Sequence, residues 1–345
     1  MPSNTAAWLT KVGAIPLDVK PAPYTPPTSH QIVIKNKAVA INPADWAIQK
    51  KGDMLFPWLA YPYIGGSDVA GEVAEIGSSV TRFKVGDRVF GLALCLAGEG
   101  AFQEYTVLRD HMTCRIPGAL SYETASVIPL GLATAASGLF QKGLLGLQHP
   151  SVPPKPTGKT LLIWGGSTSV GCNAIQLAVA AGYEVITTAS PKNFTYLKTL
   201  GASQAFDYNS PTIIPNLITA LAGKSLAGAL AIGAAGAHAP DQSPATACVQ
   251  VVSACDGGHK FVACAQPPPD NLPEGVSAKF CSASSIKDDE VGRAVFVDFL
   301  PRALEEGAFV AAPEAEVVGR GLEGIQGAFE VQMKGVSASK IVVSL

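Results

Sequence analysis

The alternation of apolar and polar positions changes near residue 121, and this change divides the chain into two differently built parts. Before it, the segments 31–41, 68–77 and 87–94 mix β-branched with polar residues and are bounded by glycine, proline or aspartate, as strands are. Windows with a helical period are few there. The first part is therefore predicted to be rich in β-structure.

In the second part, short apolar strands alternate with helix-like segments. TLLIW (160–164) precedes a helical pattern at 170–182, and EVITTAS (184–190) precedes another at 193–202. Continuous apolar strands between helices are typical of a parallel sheet covered on both faces. Further strands are predicted at 204–208, 227–233 and 259–265.

Three other segments complete the outline. Residues 121–143 begin with Ser121 as an N-cap and Glu123 in the first turn, and the small and apolar residues that follow predict one buried helix. The proline-rich segment 149–159 predicts a loop. Residues 303–345 predict a helix with a strand on each side.

Composition and charge exclude several classes of function. Of the 345 residues 48% are hydrophobic, and the formal net charge is −2. No run of lysine and arginine reaches four residues, so the electrostatic footprint of a nucleic-acid-binding protein is missing. No apolar stretch approaches the roughly 18–20 residues that span a bilayer, and the N-terminal residues lack a signal-peptide layout. We expect a cytoplasmic protein with no nucleic-acid or membrane partner.

The cysteines do not indicate a metal site. All seven are scattered along the chain, and none belongs to a C-x-x-C pattern. A structural zinc site normally needs clustered thiolates. Reduced, mostly buried thiols and no bound metal are therefore expected.

The most informative segment is the glycine turn that joins the strand 160–164 to the helix at 170–182. Gly166 and Gly171 fit the first and third positions of G-x-G-x-x-G, while Thr168 occupies the second. Backbone N–H groups at a helix start bind phosphate, and neighbouring hydroxyls can donate to phosphate oxygens. A plain strand-to-helix turn is the alternative interpretation. The predicted pyrophosphate contacts are Gly166, Ser167, Thr168, Ser169 and Val170.

The end of the next strand distinguishes between the two nicotinamide dinucleotides. Sites that prefer NAD place an Asp or Glu there to bind the ribose 2′-hydroxyl, but the sequence reads ITTASPKN (186–193) without a carboxylate. Ser190 and Lys192 instead offer a hydroxyl and a positive charge to a 2′-phosphate, with Asn193 and Tyr208 beside them. A solvated loop lysine is the alternative for Lys192. NADPH is the predicted cofactor.

The order of motifs resembles the medium-chain dehydrogenase/reductases, in the zinc-independent branch that contains quinone oxidoreductases and fungal enoyl reductases. In the segment 65-GGSDVAG-71, the Gly-His-Glu block of zinc-dependent relatives is missing, and so is a cysteine ligand near Asn42. The resemblance therefore implies no catalytic metal. It is carried by the segments NPADW (42–46), 65–91, 101–107, 200–208 and 321–343.

This resemblance implies an α/β fold of two domains. A GroES-like β-barrel catalytic domain would comprise 1–122 and 301–345, and a Rossmann domain with a doubly wound parallel sheet would comprise 123–300. The active site would lie in the cleft between them, closed by the loop 264–275 and the strand that follows. Asn42, Pro43 and Asp45 would face the nicotinamide. The implied substrate contacts are Leu130, Gly131, Leu132, Thr134, Ala265 and Gln266.

The function implied is NADPH-dependent reduction of the C=C bond of an α,β-unsaturated carbonyl, in fungal secondary metabolism. The substrate would be free or carried by a partner, with a polyketide synthase as the candidate. A quinone or carbonyl reductase and a catalytically weak NADPH-binding partner protein are the alternatives.

The proton donor is left open by the sequence. In the family that the chain resembles, many fungal members have a lysine where Ala47 stands, and quinone oxidoreductases often have a tyrosine where Met54 stands. Asp45 is expected to hold its loop by hydrogen bonds. Ordered water is one candidate donor, and the side-chain candidates are Lys50 or Lys51 and Tyr61 or Tyr63. The catalytic residues predicted are Asn42, Lys50 and Tyr63.

Overall fold

The computed structural model describes residues 2–54, 56–57, 59–94, 98–233 and 243–345. Its strands are β1 (Asn4–Leu9), β2 (Asp18–Ala22), β3 (Gln31–Ala40), β4 (Tyr63–Ile64), β5 (Asp68–Ile76), β6 (Arg88–Leu92), β7 (Tyr105–Arg109), β8 (Thr113–Arg115), β9 (Lys159–Trp164), β10 (Glu184–Ala189), β11 (Gln204–Asp207), β12 (Ser225–Ala231), β13 (Phe261–Cys264), β14 (Ser277–Phe280), β15 (Glu314–Arg320) and β16 (Ser339–Ser344). Its α-helices are α1 (Pro43–Lys51), α2 (Tyr122–Ser126), α3 (Pro129–Phe140), α4 (Ser169–Ala180), α5 (Phe194–Thr199), α6 (Ile213–Leu221), α7 (Pro244–Ala254), α8 (Glu290–Arg293), α9 (Leu300–Glu305) and α10 (Gly324–Met333).

The chain divides into two compact units. One comprises residues 1–130 with 311–345, and the other comprises residues 131–310. The boundaries expected from the family resemblance lie after residues 122 and 300, and these exact positions stay a prediction. In both descriptions the C-terminal segment returns to the N-terminal unit.

The N-terminal unit is built largely from antiparallel strands, with β15 and β16 paired in parallel, and the β-rich structure predicted for the first part of the sequence is confirmed. Its larger sheet has the order β15-β16-β3-β5-β6-β8, with β7 also paired to β3, and a smaller sheet has the order β2-β1-β4. Val342 on β16 pairs with Ala40 on β3, and Ala40 also pairs with Asp68 on β5. The last strand of the chain, β16, therefore lies beside β3 in this sheet, over a core that includes Ile34 and Phe329.

The second unit contains the predicted parallel sheet. Its order is β11-β10-β9-β12-β13-β14, and every neighbouring pair in it is parallel. Every residue of β9 and β10 after the first is buried, and both strands lie inside the sheet, where helices on both faces exclude water. The prediction of a doubly wound parallel sheet is confirmed.

The prediction of a single helix over 121–143 is wrong. Ser121 caps α2 as predicted, since its Oγ accepts the N–H of Thr124 at 3.1 Å, but α2 ends at Ser126. Pro129 disfavours the helical conformation at Ile128 and lacks an N–H, so a new helix, α3, begins at the proline itself. A proline at the first helical position marks this break in the sequence.

Residues 290–305 form a helical stretch that the sequence analysis did not predict. A π-helical segment, 294–299, joins α8 to α9, and Pro301 stands in the first turn of α9. Proline removes one helical hydrogen bond, and the wider π turn lies directly before that loss. Phe296 and Phe299 of the π segment are buried.

The predicted burial of the thiols is confirmed for the described cysteines, which are all buried and outside disulfides. Burial raises the pKa of the Cys172 and Cys281 thiols to about 12, so neither is a reactive thiolate. Cys95 lies outside the described residues. Among the described side chains, no three from His, Cys, Asp and Glu are grouped as metal ligands. No helix in the described ranges has the length and apolar character needed to cross a membrane.

Candidate active site

The predicted glycine turn lies at the carboxyl end of β9, where it opens α4. Gly165 has a φ of +87°, and its N–H donates to Thr188 Oγ1 at 3.1 Å. A Cβ on Gly166 would lie 2.2 Å from Thr187 Oγ1, and a Cβ on Gly171 would lie 2.2 Å from the carbonyl oxygen of Gly165. Only residues without a Cβ allow this strand, turn and helix to pack so closely.

Thr168 has a different role from the one predicted for its hydroxyl. Its Oγ1 accepts the N–H of Gly171 at 3.0 Å and donates to the carbonyl of Gly165 at 2.8 Å. The backbone N–H of Thr168 also donates to Gly165, at 3.1 Å. Both polar hydrogens of Thr168 are used inside the turn, so the side chain caps α4 instead of donating to a phosphate. The N–H of Val170 has no acceptor within the helix and is available to an anion.

Replacing Thr168 with alanine is expected to destabilise the protein by about 1 kcal/mol, because the N-cap hydrogen bond of α4 is lost. Urea unfolding measures the change. Thr168→Ser keeps the hydroxyl and is expected to stay close to the wild type. Equal stability of the alanine and serine variants would contradict the capping role.

Two of the predicted cofactor residues meet at the ends of adjacent strands. Ser190 directly follows β10 and Tyr208 directly follows β11, and their hydroxyl oxygens lie 2.8 Å apart. Lys192 is exposed on the single 3₁₀ turn that follows, whereas Asn193 on the same turn is buried. Asp207, at the end of β11, accepts hydrogen bonds from Asn209 two residues further on. The surface after β10 is thus made of hydroxyls and a lysine.

In the N-terminal unit, a buried polar cluster surrounds the start of α1. The N–H of Asn42 donates to Asp45 Oδ2 at 2.7 Å, and its Nδ2 donates to Asp68 Oδ2 at 2.8 Å. The ammonium of Lys340 donates to Asn42 Oδ1 at 2.5 Å and lies 2.9 Å from Asp68 Oδ2. The N–H of Leu130 donates to the other oxygen of Asp68 at 2.6 Å. The expected role of Asp45 in holding its loop is confirmed.

Sequence reasoning missed Asp68 and Lys340 as members of this cluster. Asn42 and Lys340 are 4% exposed, and Asp68 is 0% exposed. The sequence does contain a signal for both charged residues, because each stands next to a run of apolar or small residues. Asp68 begins the segment DVAG (68–71), and Lys340 begins the segment KIVV (340–343). A charge in such a position needs a buried partner.

The cluster has one negative charge more than it has positive charges. Burial raises the pKa of the Asp45 carboxyl to about 7, and the negative charge of Asp68 adds to the shift. The N–H of Asn42 and the ammonium of Lys340 oppose it. Asp45 therefore exchanges a proton near neutral pH.

Comparison with known proteins places the chain in a family. Residues 28–118 match the alcohol dehydrogenase GroES-like domain. The chain is 53% identical to the dehydrogenase pigH of Monascus ruber, with 100% of both chains covered. It belongs to the medium-chain dehydrogenase/reductases. The trans-enoyl reductase himH of Aspergillus japonicus is 40% identical, over 99% of this chain and 97% of himH. Among solved structures, the CurK enoyl reductase has a similar fold, with a TM-score of 0.75 and 21% identity over 99% of both chains.

This medium-chain dehydrogenase/reductase is thus an oxidoreductase that uses a nicotinamide dinucleotide, and its N-terminal unit contains the predicted GroES-like domain. The second unit fits such a cofactor. At Gly166 and Gly171 the turn has no space for a Cβ, so its backbone stays uncovered by side chains at these positions. The N-terminus of α4 lies at the carboxyl end of β9, which is where dinucleotides bind in doubly wound sheets.

The predicted proton donors of this reductase lie in different environments. Lys50 is exposed on α1, with its Nζ 5.3 Å from the centre of the Trp46 ring, as in a cation–π contact. Tyr63 is 8% exposed and lines a cavity of about 20 Å³ together with Asp45 and Gln49. That volume is enough for one water molecule. Pro43, a predicted cofactor contact, is exposed in the first turn of α1.

Two of the predicted substrate contacts are turned toward the protein itself. Leu132 is 0% exposed, so the structure leaves no surface of it for a ligand. Gly131 is also buried, and a Cβ there would lie 2.6 Å from Ser169 Oγ and 2.8 Å from Asn173 Nδ2. Gly131 therefore serves the close packing of α3 on the first turn of α4.

The remaining predicted substrate contacts are half-buried or exposed. Leu130 and Thr134 are half-buried on α3, and Ala265 and Gln266 follow the carboxyl end of β13. The strand after the loop 264–275 is β14, which pairs in parallel with β13 from Phe261↔Ser277 onward and forms an edge of the sheet. That this loop and strand close over the substrate stays a prediction.

Proposed function

We propose that the chain is an NADPH-dependent enoyl reductase that reduces the C=C bond of an α,β-unsaturated carbonyl in fungal secondary metabolism. The observation that carries the choice of NADPH is the surface after β10, where Ser190 and Tyr208 are hydrogen-bonded, Lys192 is exposed, and no carboxylate ends the strand. The choice of an enoyl substrate is supported by the similarity to himH over nearly the whole chain.

In this proposal, the residues of the second unit hold the two phosphate-bearing parts of the cofactor. The turn before α4 binds the pyrophosphate through backbone N–H groups, with Val170 as one donor. Ser190, Lys192 and Tyr208 bind the 2′-phosphate, and Asn193 supports their turn. An ammonium and two hydroxyls match a phosphate better than they match a pair of ribose hydroxyls, because a phosphate carries the charge that Lys192 complements.

Residues of the N-terminal unit would act at the reacting end of the cofactor. Asn42, Pro43 and Asp45 are the proposed nicotinamide contacts. When bound, the nicotinamide supplies a hydride to the β carbon of the substrate. The chain must then provide a hydrogen-bond donor for the enolate oxygen and a proton for the α carbon. Tyr63 is the proposed proton donor, and Lys50, which is exposed, is the alternative proton donor.

We also propose that the reaction needs no zinc. The segment that replaces the Gly-His-Glu block contains Asp68, and both oxygens of Asp68 already accept hydrogen bonds within the protein. The ammonium of Lys340 lies 2.9 Å from this carboxylate and would repel a divalent cation. Metal analysis of the purified protein, with activity measured before and after chelation, tests this proposal. Zinc at one equivalent and loss of activity on chelation would overturn it.

The cofactor proposal predicts the effect of removing one charge. Lys192→Ala is expected to weaken NADPH binding about tenfold, or 1.4 kcal/mol, and to leave NADH binding unchanged. Nicotinamide fluorescence titrations with both dinucleotides measure the two dissociation constants. Lys198→Ala, which removes an exposed lysine from α5, is the matched control. Equal affinities of the wild type for NADPH and NADH would contradict the proposed specificity.

The reaction proposal predicts where the hydride arrives. With 4-deuterated NADPH and an enone, the deuterium is expected on the β carbon of the saturated product. Deuterium on the former carbonyl carbon would show a carbonyl reductase instead, and turnover of quinones alone would show a quinone reductase. Binding of NADPH without turnover of either substrate, free or carried as a thioester, would favour a cofactor-binding partner protein.

A further inference from the structure

The side-chain amide of Asn42 lies between a buried cation and a buried anion. Its Oδ1 accepts from the ammonium of Lys340 at 2.5 Å, and its Nδ2 donates to Asp68 at 2.8 Å. An ammonium can only donate, and an ionised carboxylate can only accept. Of the two orientations of the amide, only one satisfies both neighbours. The flipped amide would place its N–H groups against Lys340 and its oxygen against Asp68.

The register of the sheet brings Asn42, Asp68 and Lys340 close together. Ala40 of β3 pairs with Val342 of β16 on one side and with Asp68 of β5 on the other. Lys340 stands two residues before Val342, and Asn42 stands two residues after Ala40. The N–H of Ile41 donates to the carbonyl of Ile341 at 2.8 Å, which holds the start of α1 against β16. Backbone pairing therefore sets the geometry around Asn42 before any side chain is considered.

Burial makes this arrangement poorly suited to a purely stabilising role. Taking two charges out of water costs several kcal/mol per ion, and replacing such a pair with uncharged residues is often neutral for stability. What the pair does supply is direction, because its two fields favour the same orientation of Asn42. The Asn42 side chain also forms a capping box with Asp45 at the start of α1, and Asp45 accepts the backbone N–H of Asn42 at 2.7 Å.

We propose that Lys340 and Asp68 are positioning residues for hydride transfer, acting through Asn42. They hold its side-chain amide in a single orientation, so that the amide is presented to the nicotinamide end of the cofactor in one way. The inference rests on the proposed function, in which Asn42 is a cofactor contact. A contact that orients the reacting ring affects the transfer step more than it affects overall cofactor affinity.

Two matched double variants test the inference without leaving a lone buried charge. Lys340→Met with Asp68→Asn removes both charges and the donor to Asn42 Oδ1. Lys340→Gln with Asp68→Asn also removes both charges but restores an N–H donor on a side chain of similar length. The two variants differ in that donor, so the comparison separates the orientation of Asn42 from the loss of the ion pair.

Single-turnover transfer from NADPH to an enone is expected to be about tenfold slower in the methionine variant than in the glutamine variant. The NADPH dissociation constants of the two variants are expected to agree within about threefold, and their urea midpoints are expected to coincide. Equal transfer rates in the two variants would overturn the inference. So would a slower methionine variant whose NADPH affinity and stability fall in proportion. A wild type that binds NADPH but transfers no hydride to any enone would instead contradict the proposed function.

Discussion

Replacing Gly171 with alanine is expected to destabilise the protein by about 3 kcal/mol and to weaken NADPH binding at least tenfold. The new Cβ would lie 2.2 Å from the carbonyl oxygen of Gly165 and 2.7 Å from backbone atoms of Gly166. Backbone atoms cannot rotate away as the end of a long side chain can. The turn and the N-terminus of α4 must therefore move apart, and this is the part of the chain proposed to hold the pyrophosphate.

The matched control is Gly327→Ala in the exposed face of α10. A Cβ there would meet nothing within 4 Å, so the substitution is expected to be neutral or to stabilise by up to about 1 kcal/mol through helix propensity. Urea unfolding and nicotinamide fluorescence titration measure the two effects. Wild-type stability and NADPH affinity in the Gly171 variant would show that the turn has room for a side chain, contrary to the structure.

The second large effect concerns the pH dependence of stability. The pKa of the buried Asp45 carboxyl is raised from 3.8 to about 7, so the folded protein holds a proton that the unfolded chain releases at lower pH. The stabilisation from this group is complete below about pH 4 and is lost as the pH rises through about 7. Asp68 and Lys340 are the charged groups of the cluster that face Asp45, and Tyr63 shares its small cavity.

Asp45→Asn is expected to remove this dependence. An asparagine oxygen can still accept the N–H of Asn42, so the hydrogen bond at the start of α1 is kept. Relative to the wild type, the variant is expected to gain about 2 kcal/mol of stability between pH 5 and pH 8. Unfolding free energies at the two pH values measure the gain.

Asp53→Asn is the control for the loss of one negative charge, since Asp53 is exposed on the turn that follows α1. If the difference between Asp45→Asn and the wild type is the same at pH 5 and pH 8, the buried carboxyl does not change its protonation over this range. That outcome would also remove Asp45 as a group that exchanges a proton near neutral pH.

Local features of the sequence predicted much of the surface that is proposed to bind the cofactor. The alternation after residue 160 predicts β9, α4 and β10 because each of these elements has a continuous apolar pattern of its own. The residues that follow β10 and β11 could be assigned to one surface, since the carboxyl ends of parallel strands meet at one edge of a sheet. Ser190 and Tyr208 accordingly lie within hydrogen-bond distance.

Where a property depends on partners far away in the chain, only the tertiary structure decided it. Asn42 and Lys340 are 298 positions apart, and their contact exists because β3 and β16 pair in one register. Leu132 could be placed on a helix from its sequence, but its complete burial depends on what packs over it.

The raised pKa of Asp45 likewise depends on burial and on charges that are distant in the sequence, those of Asp68 and Lys340. The sequence by itself therefore determined the family, the glycine turn and the strands and helices next to it, because each of these depends on patterns in short stretches of consecutive residues. The tertiary structure decided which side chains are buried, which charges face each other and which hydroxyls are already used, because those depend on distances in space and on the exclusion of water.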